Sequence, residues 1–119
     1  MSQTDKYMNQ SDDELLLLLA EEIVPSGNAL DLRSVSEKIT DANNWLNENH
    51  LILKYRICTH DVIQKSLSDD NTISNQELIA AIADAISLVI SGITPFLIAV
   101  IIYKRGIAKF CENQKPSDD

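Results

Sequence analysis

The stretch Leu78–Tyr103, LIAAIADAISLVISGITPFLIAVIIY, constrains this chain more than any other part of it. It contains 26 residues, and Asp84 is the only charged residue among them. About 20 apolar residues are enough to cross the hydrocarbon core of a bilayer as a helix. Buried helices of soluble proteins seldom stay apolar on every face, because one face usually meets water, although the core of a helical bundle remains the alternative. The stretch therefore predicts either a membrane segment or the core of a helical bundle.

A turn signal divides this stretch near its middle. Gly92 suits the position after a helix end, Thr94 suits an N-cap, and Pro95 suits the first residue of a new helix. Each half alone is too short to cross a bilayer. The sequence thus predicts either a hairpin of two helices, buried in a soluble bundle or dipping into a membrane, or a single span kinked at Pro95.

Small residues recur at every fourth position through the stretch. Such spacing lets two helix backbones approach closely, especially in membranes, and predicts self-association. The candidate helix–helix association residues are Ala83, Ser87, Ser91, Pro95 and Ala99. Asp84 lies beside this stripe, and we interpret it as a polar contact between helices or a pore-lining residue in a membrane. In a soluble bundle Asp84 would face solvent or accept a hydrogen bond.

A basic cluster follows the apolar stretch. Its residues, with the preceding tyrosine, are candidate anchors at a membrane interface: Tyr103, Lys104, Arg105 and Lys109. Lys65 is the nearest cation on the other side of the stretch. The positive-inside rule would then place the C-terminal side in the cytoplasm. This topology fits poorly with an N-terminal part of roughly 75 residues that lacks a signal peptide, and the soluble interpretation avoids the difficulty.

The charge and the cysteines limit the classes of function. The 119 residues carry a net charge of −8, which makes nucleic acid an unfavourable partner, because phosphate binding needs clustered lysine and arginine. The two cysteines, Cys58 and Cys111, are too few for a disulfide framework and suit a reducing compartment or free thiols. Membrane localisation is the first prediction, and a cytoplasmic location is the alternative.

The chain predicts an all-α fold, a small bundle of about five helices. Capping boxes at Ser11–Glu14 and Ser74–Glu77 mark two helix starts. Residues 51–58 also alternate as in a strand, but a lone strand would have no partner. The predicted helices are 12–24, 30–49, 52–67, 74–91 and 95–112. The predicted organisation is a disordered tail at 1–10, an acidic helical domain at 11–73, the apolar hairpin or span at 74–112, and a disordered tail at 113–119.

The sequence carries little that points to catalysis. Cys58 and His60 are two residues apart on a predicted helix, so they do not face each other as a nucleophile and base would. CxxC and HxxxH pairs are absent, which argues against a zinc site. A calcium loop ending at Glu77 fails at several ligand positions. We therefore predict a non-enzymatic protein with no catalytic residues, no metal and no cofactor.

Three functional hypotheses follow. The first is a small membrane-associated protein that acts as an anchor or adaptor for a protein partner. The second is a soluble helical protein–protein interaction module whose apolar hairpin is core or oligomer interface. The third is a self-associating membrane effector, in which Asp84 would face a pore. All three predict a protein partner or self-association, and none predicts nucleic acid.

Overall fold

The computed structural model describes residues 3–23, 34–68 and 73–112, and the regular structure in these ranges is entirely helical. The all-α fold class predicted from the sequence is confirmed for these residues. The described ranges contain eight helices: α1 Gln3–Met8, α2 Asp12–Ile23, α3 Val35–Glu48, α4 His50–Cys58, α5 Asp61–Leu67, α6 Asn75–Ser87, α7 Pro95–Arg105 and α8 Ile107–Phe110.

Helix α7 lies at the centre of the molecule. Its six consecutive residues from Leu97 to Ile102 are each at most 3% exposed. Helix α6 makes the most extensive contact with α7, and α1, α2 and α8 also pack against it. The apolar hairpin predicted from the sequence is thus formed by α6 and α7, and it supplies much of a single core.

The kinked membrane span, the other form predicted for Leu78–Tyr103, is not found. Thirteen residues in α6 and eleven in α7 are separated by a turn. Within the described ranges, no helix combines the length and the apolar character that crossing a bilayer requires. The physical reason is the sequence from Gly92 to Pro95, where the chain reverses and α7 starts anew.

Three of the described helices begin with a reciprocal capping box. The boxes predicted at Ser11–Glu14 and Ser74–Glu77 are confirmed, since each serine hydroxyl accepts from the glutamate N–H at 3.1 Å. A third box joins Ser34 and Glu37 and fixes the start of α3 at Val35. The start near Leu30 predicted for this helix lies outside the described residues.

Two predicted helices are each divided in two. The predicted helix 52–67 breaks after Cys58, because the His60 side chain accepts from the Val62 N–H at 3.2 Å and caps α5. The predicted helix 95–112 breaks at Gly106, whose φ of +100° and ψ of 113° are not helical. The bundle consequently has more and shorter helices than the five predicted.

A disulfide joins the two cysteines. Cys58 at the end of α4 is bonded to Cys111 just after α8, with a Cα–Cα distance of 5.6 Å. Both residues are buried. The prediction of free thiols was wrong, because helices far apart in sequence bring the two side chains together.

The predicted domain division stays a prediction, and the described residues of its parts can be located in the structure. Residues of both predicted units, 11–73 and 74–112, contribute to one hydrophobic core. The segment 1–10, predicted as a disordered tail, contains helix α1, whose Tyr7 is buried against that core. The tail predicted at 113–119 lies outside the described residues.

Candidate functional site

Helix α4 has apolar side chains on both its inner and its outer side. Leu53 and Ile57 are buried and point into the core. On the outer side Leu51 is 80% exposed, Ile52 46% and Tyr55 58%. At about 100° per residue, these three side chains fall within an arc of about 100°. We call Leu51, Ile52 and Tyr55 the α4 face.

The charges of α4 are exclusively basic. The helix sequence, HLILKYRIC, contains Lys54 and Arg56 and no acidic residue. The chain as a whole has a net charge of −8. The α4 face is therefore an apolar surface with basic neighbours on an otherwise acidic protein, a combination that favours acidic partners.

A cleft with a volume of about 460 Å³ lies between α4 and the α7–α8 junction. We call it the basic cleft. It is lined by His50, Lys54, Arg105, Gly106, Lys109, Phe110 and Glu112. Three fixed positive charges and one negative charge give this lining a net charge of +2 with a neutral histidine. The His50 and Phe110 rings meet edge to face, with their centroids 5.3 Å apart.

A smaller and more enclosed pocket of about 220 Å³ adjoins the basic cleft. His50, Arg105 and Phe110 line both spaces. The remaining lining of the smaller pocket is mainly apolar: Leu46, Asn47, Leu53, Ile101 and Ile102. We call it the inner pocket. The two spaces together offer cations at the mouth and aliphatic side chains deeper in.

The four predicted interface anchors lie at the C-terminal end of α7 and beyond it. Tyr103 packs against the core, and the Lys104 ammonium donates to the backbone carbonyls of Met8 and Gln10. Arg105 donates to Asn43 Oδ1 at 3.2 Å and lies 3.7 Å from Asp12 Oδ2. Lys104 and Arg105 thus tie the end of α7 to the N-terminal helices, whereas Lys109 is exposed and lines the basic cleft. Their role at a membrane interface stays a prediction.

The predicted association stripe does not lie on one continuous surface. Ala83 and Ala99 are buried on α6 and α7, while Ser87 and Ser91 are exposed. Pro95 is the first residue of α7. The structure brings the two alanines into the core rather than onto an outer face, and self-association through the stripe stays a prediction.

Asp84 is solvent-facing, with a side chain that is 69% exposed. Its Oδ2 atom lies 3.3 Å from His60 Nε2. The His60 ring thus links two elements, because its other nitrogen caps α5. This is a surface contact between α6 and the α4–α5 turn, and a pore-lining role for Asp84 stays a prediction.

Sequence reasoning missed the α4 face and the basic cleft. The signal for the α4 face was present in residues 51–58, where apolar residues fit both a strand and a helix. A helix with that many apolar residues must expose some of them, because only one side meets the core. The cleft had no comparable signal, since His50 and Lys54 join Arg105 and Lys109 only through the packing of α4 beside α8.

The positions of the His, Cys, Asp and Glu side chains bear on metal binding and on nucleophilic catalysis. In the part of the chain that the structure describes, no three His, Cys, Asp or Glu side chains converge as metal ligands would. The Cys58 sulfur is engaged in the disulfide, so it is not a thiolate nucleophile in this state.

Comparison of the chain with protein-family models, with curated proteins and with solved structures found no match.

Proposed function

We propose that this chain is a small, non-enzymatic helical module that binds another protein through the α4 face. The observation that carries the proposal is the exposure of Leu51, Ile52 and Tyr55 together on one side of one helix. Burying a large apolar side chain contributes about 1.5–3 kcal/mol, so three adjacent ones form a substantial docking surface. Tyrosine is also enriched at the centres of protein interfaces.

The partner that fits this surface is an amphipathic segment with acidic residues beside its apolar ones. Lys54 and Arg56 flank the α4 face, and α4 has no acidic residue to repel such a partner. A two-fold dimer through α4 would instead place the same lysines and arginines opposite one another. Charge complementarity therefore favours a different protein over a second copy of this chain.

The membrane hypotheses have weaker support. They require the Leu78–Tyr103 hairpin to meet lipid, but Leu97–Ile102 is enclosed by other helices of the same chain. Membrane insertion would have to remove these residues from the core and expose the surfaces that now cover them. The interaction module requires no such rearrangement.

A selection from a displayed library of random peptides tests the proposal. We expect the enriched peptides to combine apolar residues at helical spacing with aspartate or glutamate, and to bind the intact protein through the α4 face. The double variant Leu51→Ser/Tyr55→Ser should weaken their binding at least about tenfold. The matched control is Val35→Ser, because Val35 is 59% exposed on α3, outside the α4 face.

Three outcomes would contradict the proposal. The first is enrichment of basic peptides, and the second is peptide binding that survives in the double variant. The third is cosedimentation of the protein with phosphatidylserine vesicles that is lost in Leu51→Ser/Tyr55→Ser, because the α4 face would then be a membrane-binding surface. Thermal unfolding of each variant shows whether the fold is retained, and mutations at such exposed sites typically change stability by less than about 0.5 kcal/mol.

A further inference from the structure

We propose that the basic cleft and the inner pocket together bind an aryl phosphate, a phosphate monoester attached to an aromatic ring. The basic cleft would hold the phosphate, and the inner pocket would hold the ring. This site is distinct from the α4 face and does not depend on the function proposed above. It lies beside the α4 face, at His50 and Lys54, where α4 meets the α7–α8 junction.

The charge of the basic cleft matches a dianion. Lys54, Arg105 and Lys109 contribute three positive charges, and Glu112 contributes one negative charge. Arg105 also lies 3.7 Å from Asp12, outside the cleft. Neither Lys54 nor Lys109 has an ion-pair partner among the residues that the structure describes. A phosphate monoester carries about −1.5 to −2 at pH 7 and would offset the charge of +2 on the cleft lining, whereas a single carboxylate would offset half of that lining charge.

The chemistry of the three cations suits phosphate as well. A guanidinium donates several hydrogen bonds in a fixed plane, and lysine ammonium groups act as mobile point charges on the remaining phosphate oxygens. The cations come from two walls, Lys54 from α4 and the other two from the end of α7 and from α8. A phosphate between these walls would therefore relieve the repulsion that the cations exert on each other.

The inner pocket accounts for the aromatic part of the ligand. Its volume is about 220 Å³, and Leu46, Leu53 and Ile101 supply aliphatic walls. A dry apolar cavity of about 150 Å³ is already large enough for benzene. Because His50, Arg105 and Phe110 line both spaces, a ring in the inner pocket would keep its phosphate substituent in the basic cleft.

The disulfide supports this geometry. Cys111 is flanked by Phe110 and Glu112, which both line the basic cleft, and it is bonded to Cys58 at the end of α4. The α8 wall is thus tied covalently to the helix that supplies the opposite wall. A preorganised site loses less entropy on binding than one whose walls move independently.

Nuclear magnetic resonance titration of the intact, oxidised protein tests the proposal with phenyl phosphate, inorganic phosphate and benzoate at constant ionic strength. We expect phenyl phosphate to shift the amide signals of His50, Lys54 and residues 105–112, and to bind at least about tenfold more tightly than either of the other two. Lys54→Gln/Lys109→Gln should weaken phenyl phosphate binding at least about tenfold. Lys65→Gln, on α5, is the matched control and should leave its affinity unchanged.

Three results would overturn the proposal. Benzoate binding as tightly as phenyl phosphate would remove the need for a dianion, and equal binding of inorganic phosphate would remove the role of the inner pocket. Unchanged affinity in Lys54→Gln/Lys109→Gln, with a native spectrum, would place the site elsewhere. Leu51→Ser/Tyr55→Ser should retain phenyl phosphate binding. This variant therefore distinguishes a failure of the phosphate-site proposal from a failure of the proposed protein-binding role of the α4 face.

The aryl phosphate could be a free molecule or a phosphotyrosine side chain, and peptides distinguish the two. Matched peptides containing phosphotyrosine or phosphoserine are titrated beside phenyl phosphate. A phosphotyrosine peptide that binds more tightly than phenyl phosphate assigns the site to a modified protein. Equal or weaker binding assigns it to a small aromatic phosphate. Binding of the phosphoserine peptide as tight as that of the phosphotyrosine peptide would contradict the role of the ring.

Discussion

At the residue scale, one polar cluster fixes the beginning of the central helix. The Glu22 carboxylate accepts from the Thr94 backbone N–H at 2.6 Å and from its hydroxyl at 2.9 Å. Thr94 is the N-cap of α7, and its hydroxyl does not cap the helix itself. A carboxylate of α2 thus satisfies donors at the start of α7, where the helix dipole also favours negative charge.

Tyr7 belongs to the same cluster and makes the stability of the protein sensitive to high pH. Burial raises the pKa of the Tyr7 hydroxyl above its ordinary value of 10.0, the charge of Glu22 raises it further, and a hydrogen bond with the Thr94 side chain partly opposes the rise. Above about pH 10 the unfolded chain loses this proton before the folded protein does. Stability is therefore fully present below pH 10 and falls as the pH rises toward the folded-state value.

We predict that Tyr7→Phe makes the decline in stability above about pH 10 shallower than in the wild type. Urea denaturation at a series of pH values from 7 to 11 measures this slope. Tyr55→Phe is the matched control, because it removes the same hydroxyl from a tyrosine that is 58% exposed. A slope in Tyr7→Phe equal to that of the wild type would show that the pKa of Tyr7 is the same in the folded protein and in the unfolded chain.

At the element scale, Gly106 decides where α7 ends and how α8 is placed. Its φ of +100° and ψ of 113° lie in a region that residues with a Cβ rarely occupy. A Cβ atom there would have Lys109 Cβ as its nearest neighbour, at 3.9 Å, so space is not the constraint. The backbone conformation alone requires glycine, and it lets α8 turn so that Cys111 reaches Cys58.

We predict that Gly106→Ala lowers the free energy of unfolding by about 1–3 kcal/mol, through backbone strain. The same variant should also bind phenyl phosphate more weakly, because the α8 wall of the basic cleft would shift. Ala108→Ser on the exposed side of α8 is the control, with an expected change below about 0.5 kcal/mol. Full stability in Gly106→Ala would mean that the α7–α8 junction adopts another conformation at little cost.

Sequence patterns predicted helix starts better than helix breaks. Serine–glutamate spacing identified α2 and α6, and Thr94-Pro95 identified α7, because capping is decided by neighbouring residues. The same spacing at Ser34–Glu37 was overlooked although it was present. The break at His60 had no common signal, since histidine seldom serves as an N-cap. The break at Gly106 was also missed, because its role depends on a tertiary contact: it lets α8 turn so that Cys111 reaches Cys58.

At the scale of the whole molecule, the apolar hairpin forms much of a core that other helices complete. Hydropathy alone did not distinguish these outcomes, since a helix surrounded by lipid and a helix surrounded by other helices have the same composition. The distinction depends on whether the rest of the chain supplies apolar surface to cover the hairpin. Leu15, Leu16 and Leu19 of α2 and Leu53 and Ile57 of α4 supply part of it.

Two leucines of the hairpin test this conclusion. We predict that Leu97→Ala lowers the free energy of unfolding by about 2–5 kcal/mol, because Leu97 is completely buried and its removal leaves a cavity. Leu88→Ala, in the same apolar stretch but 68% exposed, should change it by less than about 0.5 kcal/mol. Chemical denaturation in detergent-free buffer provides the measurement, and equal effects of the two substitutions would contradict the core assignment.

The candidate sites could be predicted only in part, because they too depend on how distant parts of the chain pack together. Arg105 and Lys109 were recognised as a basic cluster, but their neighbours in the basic cleft come from α4, about fifty residues earlier in the chain. A sequence pattern reports which residues share a helix, not which helices become neighbours. The concavity that the two walls form is a property of the folded chain alone.

The Cys58–Cys111 bond also changes how this protein would respond to a protease. It closes a covalent ring of which α5, α6, α7 and α8 are part. A single cut anywhere between the two cysteines opens the ring but leaves both fragments attached to each other. The two fragments would hold the halves of the apolar core close together, at a high effective concentration. The folded protein can thus survive a nick in its second half that would separate the pieces of a chain lacking this bond.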